Sequence, residues 1–273
     1  MLRRLLIRTG GIGDCILSIP AMQCLRADFT EVWVPAPVVP VIQFADRVRA
    51  ISGTGIDLLG LPGVEPDQRL IAQLRSFDSI VSWYGANREE FRQALDGLGL
   101  PVQFLTALPD ESRGVHCCDF FLDQAGCSRG AQPEIACHAG SAGAEYGVIH
   151  PFSGSARKNW PLDRFRALAS RLPVPVAWCA GPEEDLAGAV RFGNLYDLGC
   201  WLRQARFYVG NDSGITHLAA AVGAPVVAIF GPSDPKVWAP RAARARIVHG
   251  RLADITIDEV LNATRSLLLP VNL

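Results

Sequence analysis

Asp14 directly follows Gly13 in RTGGIGDCILSIPAMQCLR (residues 8–26), and Gly11 precedes it by three, where an apolar, strand-like run gives way to a helix-like one. A carboxylate in that position has two compatible uses. It caps the new helix, whose positive end favours the charge. It also suits a general base that takes the proton of a substrate hydroxyl late, as that oxygen forms its new bond and becomes acidic.

The second half carries a stronger pattern, FYVGNDSGITHLAAAVGAPVVAIFGPSDPKVW (207–238). A buried strand is expected to end at Asn211-Asp212-Ser213-Gly214, with a helix of small residues starting at once. Such a turn leaves backbone N–H groups at the positive end of a helix, where a phosphate or diphosphate is held without a metal. Gly214 lets the ligand approach the backbone. The competing reading makes Asp212 or Ser213 an N-cap worth about 1 kcal/mol. His217 falls one turn later on the same helix face, to donate to a phosphate or to serve structure. Pro232 and Pro235 give the next loop a rigid path from which Ser233, Asp234 and Lys236 project. In HPFSGSARKNWPLDRF (150–165) a small polar loop with Ser153 carries Arg157 and Lys158; a cation there would neutralise the charge developing on a leaving group. Of the 26 basic residues only Lys158 and Lys236 are lysines, and each lies in one of these loops. WCAGPEEDLAG (178–188) places Glu183, Glu184 and Asp185 in the first turn of an expected helix. There they complement the dipole, or one of them accepts hydrogen bonds from a ribose.

Such loops need strands behind them. Short apolar runs alternate with segments of helical period, the pattern of strand–helix units in a mainly parallel sheet. The first half offers RRLLIRTG, EVWVPAP, VRAISG, SIVSWYG and VQFLTALP as strands, ILSIPAMQCLRA as a helix kinked by Pro20, and NREEFRQALDGLG as a helix stopped by glycine. In the second half the strands are GVIHPFSG, PVAWCAG, RFYVGND, PVVAIFGP and ARIVHG. Its helices are PLDRFRALASRL, EEDLAGAVRFG, GCWLRQA, GITHLAAAVG and TIDEVLNATRSLL. Between the halves, SRGAQPEIACHAGSAGAEYG lacks helical period, which puts the expected boundary between domains 1–140 and 141–273. Of the 273 residues, 49% are hydrophobic and 19% charged, enough apolar surface for two cores. The net charge of -1 gives no basic field for nucleic acid. No run reaches a membrane-spanning length of about 18 apolar residues, and the N-terminal apolar stretch is too short for a signal peptide. A cytoplasmic protein is expected, touching the inner face of the inner membrane at most peripherally. The eight cysteines lack zinc-site spacing and are read as free, buried thiols.

Taken together, LLIRTGGIGDCILSIPAMQCLR, HPFSGSARKNWPLDRF, AGPEEDLA and VGNDSGITHLAAAVGAPVVAIFGPSDPKVWAP resemble glycosyltransferase family 9, the ADP-heptose:lipopolysaccharide heptosyltransferases. The resemblance implies an α/β GT-B fold, two Rossmann-like domains facing each other across a cleft. It also implies inverting, metal-independent transfer of a sugar, heptose above all, from an ADP-sugar or other nucleotide sugar to a hydroxyl of a glycan or lipid-linked glycan such as the lipopolysaccharide core. No cofactor is implied. By the same resemblance Asp14 is the base and Lys158 binds donor phosphate, with Asn159 intervening before the W-P pair. Asp212, Ser213 and Gly214 cradle the diphosphate, His217 matches the motif's histidine, and Glu183 or Glu184 lies near the nucleoside. Gly13, Ser153, Arg157 and Lys236 complete the expected donor site. Where members commonly show a strand ending in D-x-Q-G, this chain has SIVSWYGAN; Trp83 and Tyr84 either stack on a sugar or belong to the core. Two other readings are a protein of the same fold that binds nucleotide sugars without turnover, and a dinucleotide oxidoreductase. Against the oxidoreductase, GGIGDC lacks the last glycine of G-x-G-x-x-G, and no acidic residue ends EVWVPAP.

Overall fold

The structure is a computed structural model that describes residues 1–138 and 145–269. The chain forms two compact units, Met1–Pro109 with Cys118–Ala131, and Asp110–Cys117 with Gln132–Leu273. The expected boundary at 140/141 lies outside the described residues.

In the first unit β1 (Arg3–Ile7) leads through the glycine loop to α1 (Ile12–Leu17) and α2 (Ile19–Cys24). The two helices part at Ser18, and Pro20 falls in the first turn of α2, where its missing N–H costs nothing. Then come β2 (Phe29–Val34), β3 (Arg47–Ala50), α3 (Gln68–Leu74), β4 (Ser79–Ser82), α4 (Glu89–Gly97), β5 (Val102–Phe104) and α5 (Cys117–Gln124). The strands pair in parallel in the order β3-β2-β1-β4-β5. Leu5, Ile7, Trp33, Leu74, Ile80 and Phe91 anchor the core between this sheet and its helices.

The second unit builds its sheet from β6 (Gly147–His150), α6 (Leu162–Ala169), β7 (Val176–Trp178), α7 (Leu195–Gln204), β8 (Tyr208–Asn211), α8 (Gly214–Ala221), β9 (Val226–Phe230), α9 (Pro235–Trp238), β10 (Ala245–His249) and α10 (Ile257–Leu268). Its order is β10-β9-β8-β6-β7, again all parallel. Buried residues fill β8 and β9 from end to end, as strands covered on both faces require. Strand order reverses direction beside β1 in the first sheet and beside β6 and β8 in the second. At such switch points the loops leaving neighbouring strands diverge and open a crevice at the carboxyl edge. The loops carrying Asp14, Lys158 and Asp212 leave β1, β6 and β8 respectively.

Two expectations need correction. Residues 183–193 do not form a helix. Val190 pairs with Cys179 as an added bridge, and the Arg191 guanidinium takes the carbonyls of Gly181, Glu184, Leu186 and Ala189, the last three of which a helix would have bonded internally. Nor are all cysteines free: Cys24, at the end of α2, and Cys127, just beyond α5, form a disulfide within the first unit, their Cα atoms 6.6 Å apart. Among the described residues no helix is long and apolar enough to cross a membrane.

The second sheet leaves no room on β6. A Cβ on Gly147 would strike the ring of Phe207, which is wholly buried. Gly147→Ala is therefore expected to lower stability by about 1–3 kcal/mol, seen as a lower urea midpoint at unchanged slope; an unshifted midpoint would contradict this packing.

Candidate active site

In the first unit the loop after β1 is folded around a buried cation. Arg8 is 1% exposed. Its guanidinium donates to the Thr9 carbonyl at 2.7 Å, the Ser18 hydroxyl at 3.2 Å and the Asp14 carbonyl at 3.3 Å, and lies 4.7 Å from the centroid of the Phe121 ring. These contacts fix the backbone that carries the carboxylate. Asp14 Oδ2 accepts the Gly11 N–H at 2.8 Å. Gly10 adopts φ 123°, and a Cβ there would stand 2.9 Å from that same oxygen, so the turn requires glycine. Capping is thus observed, and Oδ1 takes no hydrogen bond from any described residue. Gly13 lies in the first turn of α1. The next residue, Cys15, is inert as a nucleophile, since burial pushes its thiol up to about 12.

Trp83 is not a sugar platform. It is 1% exposed and meets Phe121 edge-on, with centroids 6.3 Å apart. Tyr84 packs edge-on against Phe91, and its hydroxyl accepts from Arg88 at 2.7 Å.

In the second unit one amide joins the two loops singled out from sequence. Asn211 closes β8 and is 0% exposed. Its Nδ2 donates to the Pro151 carbonyl at 2.8 Å, and its Oδ1 accepts the Trp160 N–H at 2.9 Å. Both ends of the segment that carries Arg157 and Lys158 are thereby pinned beside the Asp212 turn. Lys158 Nζ reaches Asp212 Oδ2 at 2.6 Å; the carboxylate is 6% exposed and the lysine side chain 36%. One ammonium proton is used by this pair, and two remain for a ligand.

Ser213 is the N-cap of α8: its Oγ accepts from Thr216 N at 3.3 Å and lies 3.1 Å from Thr216 Oγ1. Thr216 in turn donates to the Asn211 carbonyl at 2.5 Å, with Tyr208 OH 3.1 Å away. This buried network sets the angle at which the helix start leaves the sheet. The amides of Gly214 and Ile215 precede the first intrahelical bonds of α8 and form its positive end. His217 is buried one turn along. Ser153 is used internally, between Asn159 Oδ1 at 2.7 Å and the Ser155 carbonyl at 2.8 Å. Arg157, Glu183 and Lys236 are exposed, and Asp234 caps the short α9 by accepting the Lys236 N–H.

Glu184 is held separately. Its Oε2 accepts from Gly181 N at 2.6 Å and from His150 Nε2 at 2.9 Å. Burial pushes its carboxyl up, but the bonds from His150 and Gly181 outweigh it and leave the group below the ordinary value. The second unit therefore assembles Lys158, Asp212, Ser213, Gly214, His217 and Glu184 along the carboxyl edge of β6, β7 and β8. No group of three or more metal-binding side chains occurs among the described residues. Asn211, His150, Arg8 and Arg191 had no functional reading in the sequence. A polar residue ending an apolar strand run was the available signal for the first three.

The same region carries the likeness to known proteins. Residues 176–258 match glycosyltransferase family 9 (heptosyltransferase). Lipopolysaccharide heptosyltransferase 3 of Escherichia coli is 31% identical across 38% of this chain and 36% of its own length, and lipopolysaccharide heptosyltransferase 2 of E. coli K12 is 32% identical across 34% and 30%. The sequence match thus spans about a third of those curated relatives. In fold the likeness is wider. A glycosyl transferase family 9 structure from Veillonella parvula superposes with a TM-score of 0.76 at 18% identity over 98% of this chain and 97% of that one. The E. coli heptosyltransferase WaaC with ADP gives 0.69 at 17% identity over 97% and 100%. The two parallel α/β sheets are those of the GT-B class.

The Glu184 bonds give a pH dependence of defined sign. A carboxyl held below its ordinary 4.5 in the folded state stabilises the protein fully above that value, and the contribution fades as pH falls through the lower folded value. Urea midpoints of wild type and Glu184→Gln should therefore differ most above pH 4.5 and converge in more acidic solution; a gap that is constant with pH would contradict it.

Proposed function

For this relative of glycosyltransferase family 9, we propose transfer of heptose from an ADP-sugar to a glycan hydroxyl, such as one of the lipopolysaccharide core, with inversion and without a metal ion. The observation that carries the reading is the Lys158–Asp212 pair at the switch point of the second sheet, beside the start of α8. A leaving diphosphate needs positive charge that strengthens as the bond to the sugar breaks. The free protons of Lys158 and the first amides of α8 supply it. The Asp212 carboxylate does not face the phosphates as an acceptor; it aims the ammonium, and its own charge is already matched. Exposed Arg157 and Lys236 add to the field, with Ser153 shaping the loop and His217 a donor from the next turn.

The acceptor oxygen attacks the anomeric carbon on the face opposite the diphosphate. The new C–O bond forms as the bond to the leaving oxygen breaks, and the acceptor's proton passes to Asp14. The Arg8 bonds and the Gly11 N–H hold that carboxylate in one orientation with Oδ1 available, so the base is ordered before substrate arrives. Gly13, in the first turn of α1, sets no side chain next to that carboxylate. The nucleoside end falls to the Glu184 loop, with Glu183 on its outer side. The donor is favoured as an ADP-sugar because solved relatives of this fold are described with ADP and with ADP-2-deoxy-2-fluoro heptose. A lipid-linked acceptor would be met at the inner face of the inner membrane by peripheral contact.

Saturating ADP is expected to raise the melting temperature, with about 2.7 kcal/mol of stabilisation at a hundredfold excess over Kd, and NAD is expected to leave it unchanged. Asp14→Asn keeps an oxygen for the Gly11 N–H but is a far weaker base. It should retain the ADP shift and lose transfer from ADP-heptose by about 10²- to 10⁴-fold. Stabilisation by NAD as large as that by ADP, or wild-type transfer by Asp14→Asn, would overturn the proposal.

A further inference from the structure

His150 ends β6, is 2% exposed, and immediately precedes Pro151, whose carbonyl receives the Asn211 amide. It is therefore rigidly tied to the turn that holds Lys158 and Asp212. Its Nε2–H donates to Glu184 Oε2 at 2.9 Å, its Nδ1 is buried with no hydrogen-bond partner, and its ring meets Phe152 edge-on. An imidazole bound at Nε2 alone serves that one bond. On the other side of the pair, Gly181 N reaches the same Oε2, and Arg191 clamps the loop through the carbonyls of Gly181, Glu184 and Leu186. Oε2 is thus saturated by two donors. Oε1 takes no hydrogen bond from any described residue, and the side chain is 27% exposed.

We infer that His150 is a positioning residue for nucleotide recognition: given the proposed place of the Glu184 loop at the nucleoside, the bond from His150 locks Oε2 of Glu184 and turns Oε1 to the vicinal hydroxyls of a ribose, so that discrimination against a nucleotide lacking those hydroxyls depends on His150. The inference rests on the proposed nucleotide-sugar site. It is chemically economical. A ribose diol offers two donors and needs a charged acceptor whose direction is fixed, and a glutamate free to rotate would lose ordering entropy on binding. Glu183, one residue earlier and exposed, has no such support.

The test compares the affinities of ADP and 2′,3′-dideoxy-ADP by calorimetry, in wild type and in His150→Phe, which keeps the ring's bulk but cannot donate, and His150→Gln, which keeps a donor. Wild type should prefer ADP by about tenfold or more, the usual worth of hydrogen bonds to a charged group. In His150→Phe the preference should fall to within about twofold, chiefly through weaker ADP binding, and His150→Gln should recover part of it. A merely structural role would lower the melting temperature of His150→Phe and leave the ratio alone. Should His150→Phe not fold, nitrogen-15 spectra of histidine-labelled wild type decide: Nε2 protonated, with and without ADP, is expected, and an unprotonated Nε2 in the ADP complex overturns the inference. Wild type that fails to bind ADP refutes the proposed function instead, whereas ADP binding with an undiminished preference in His150→Phe refutes the inference alone.

Discussion

A buried carboxylate facing a lysine across two loops is the constraint on which the rest of the second unit depends. Asp212 is nearly excluded from water, and an unmatched charge there would cost more than most single contacts contribute. Lys158 matches it from a loop 54 residues away. Neither residue can be placed without the other, so the loop after β6 and the turn after β8 must close on each other. Asn211 enforces that closure through neutral hydrogen bonds at both ends of the Lys158 segment, leaving the ammonium to the carboxylate and to whatever anion arrives.

The parallel sheets explain why chemistry collects where it does. Each strand ends on the same edge, and at a switch point the outgoing loops turn away from each other. β6 and β8 are neighbours in the sheet although α6, β7 and α7 separate them in the chain, so residues distant in sequence share one edge. The first unit uses the same device around β1, with the Arg8 guanidinium as internal scaffold. The two units differ in what they offer: one ordered carboxylate in the first; an ammonium, helix amides and a braced glutamate in the second.

Much of this arrangement is legible from sequence, because local signals agree. Val226–Phe230 is wholly apolar and bounded by turn residues, and the Asp212-Ser213-Gly214 turn before a run rich in small residues marks the start of α8 to within a residue. What escapes is long-range. The Asn211 bond to Trp160 spans 51 residues, and the Cys24–Cys127 disulfide spans 103. The helix expected at 183–193 fails because Arg191 satisfies that loop's carbonyls from its side chain, and no periodicity of apolar residues registers such a competitor. Trp83 shows the converse: an aromatic residue beside a loop looks like a platform until the Phe121 ring is seen to cover it.

Most direct for the central claim is a double-mutant cycle on ADP and AMP affinity, with Lys158→Met, Asp212→Asn and the pair together, each measured by calorimetry. If Asp212 acts by aiming the ammonium at the outer phosphate, Lys158→Met should weaken ADP by about tenfold and AMP far less, and adding Asp212→Asn should bring little further loss. Equal losses for ADP and AMP, or single-variant costs that simply add, would contradict the account.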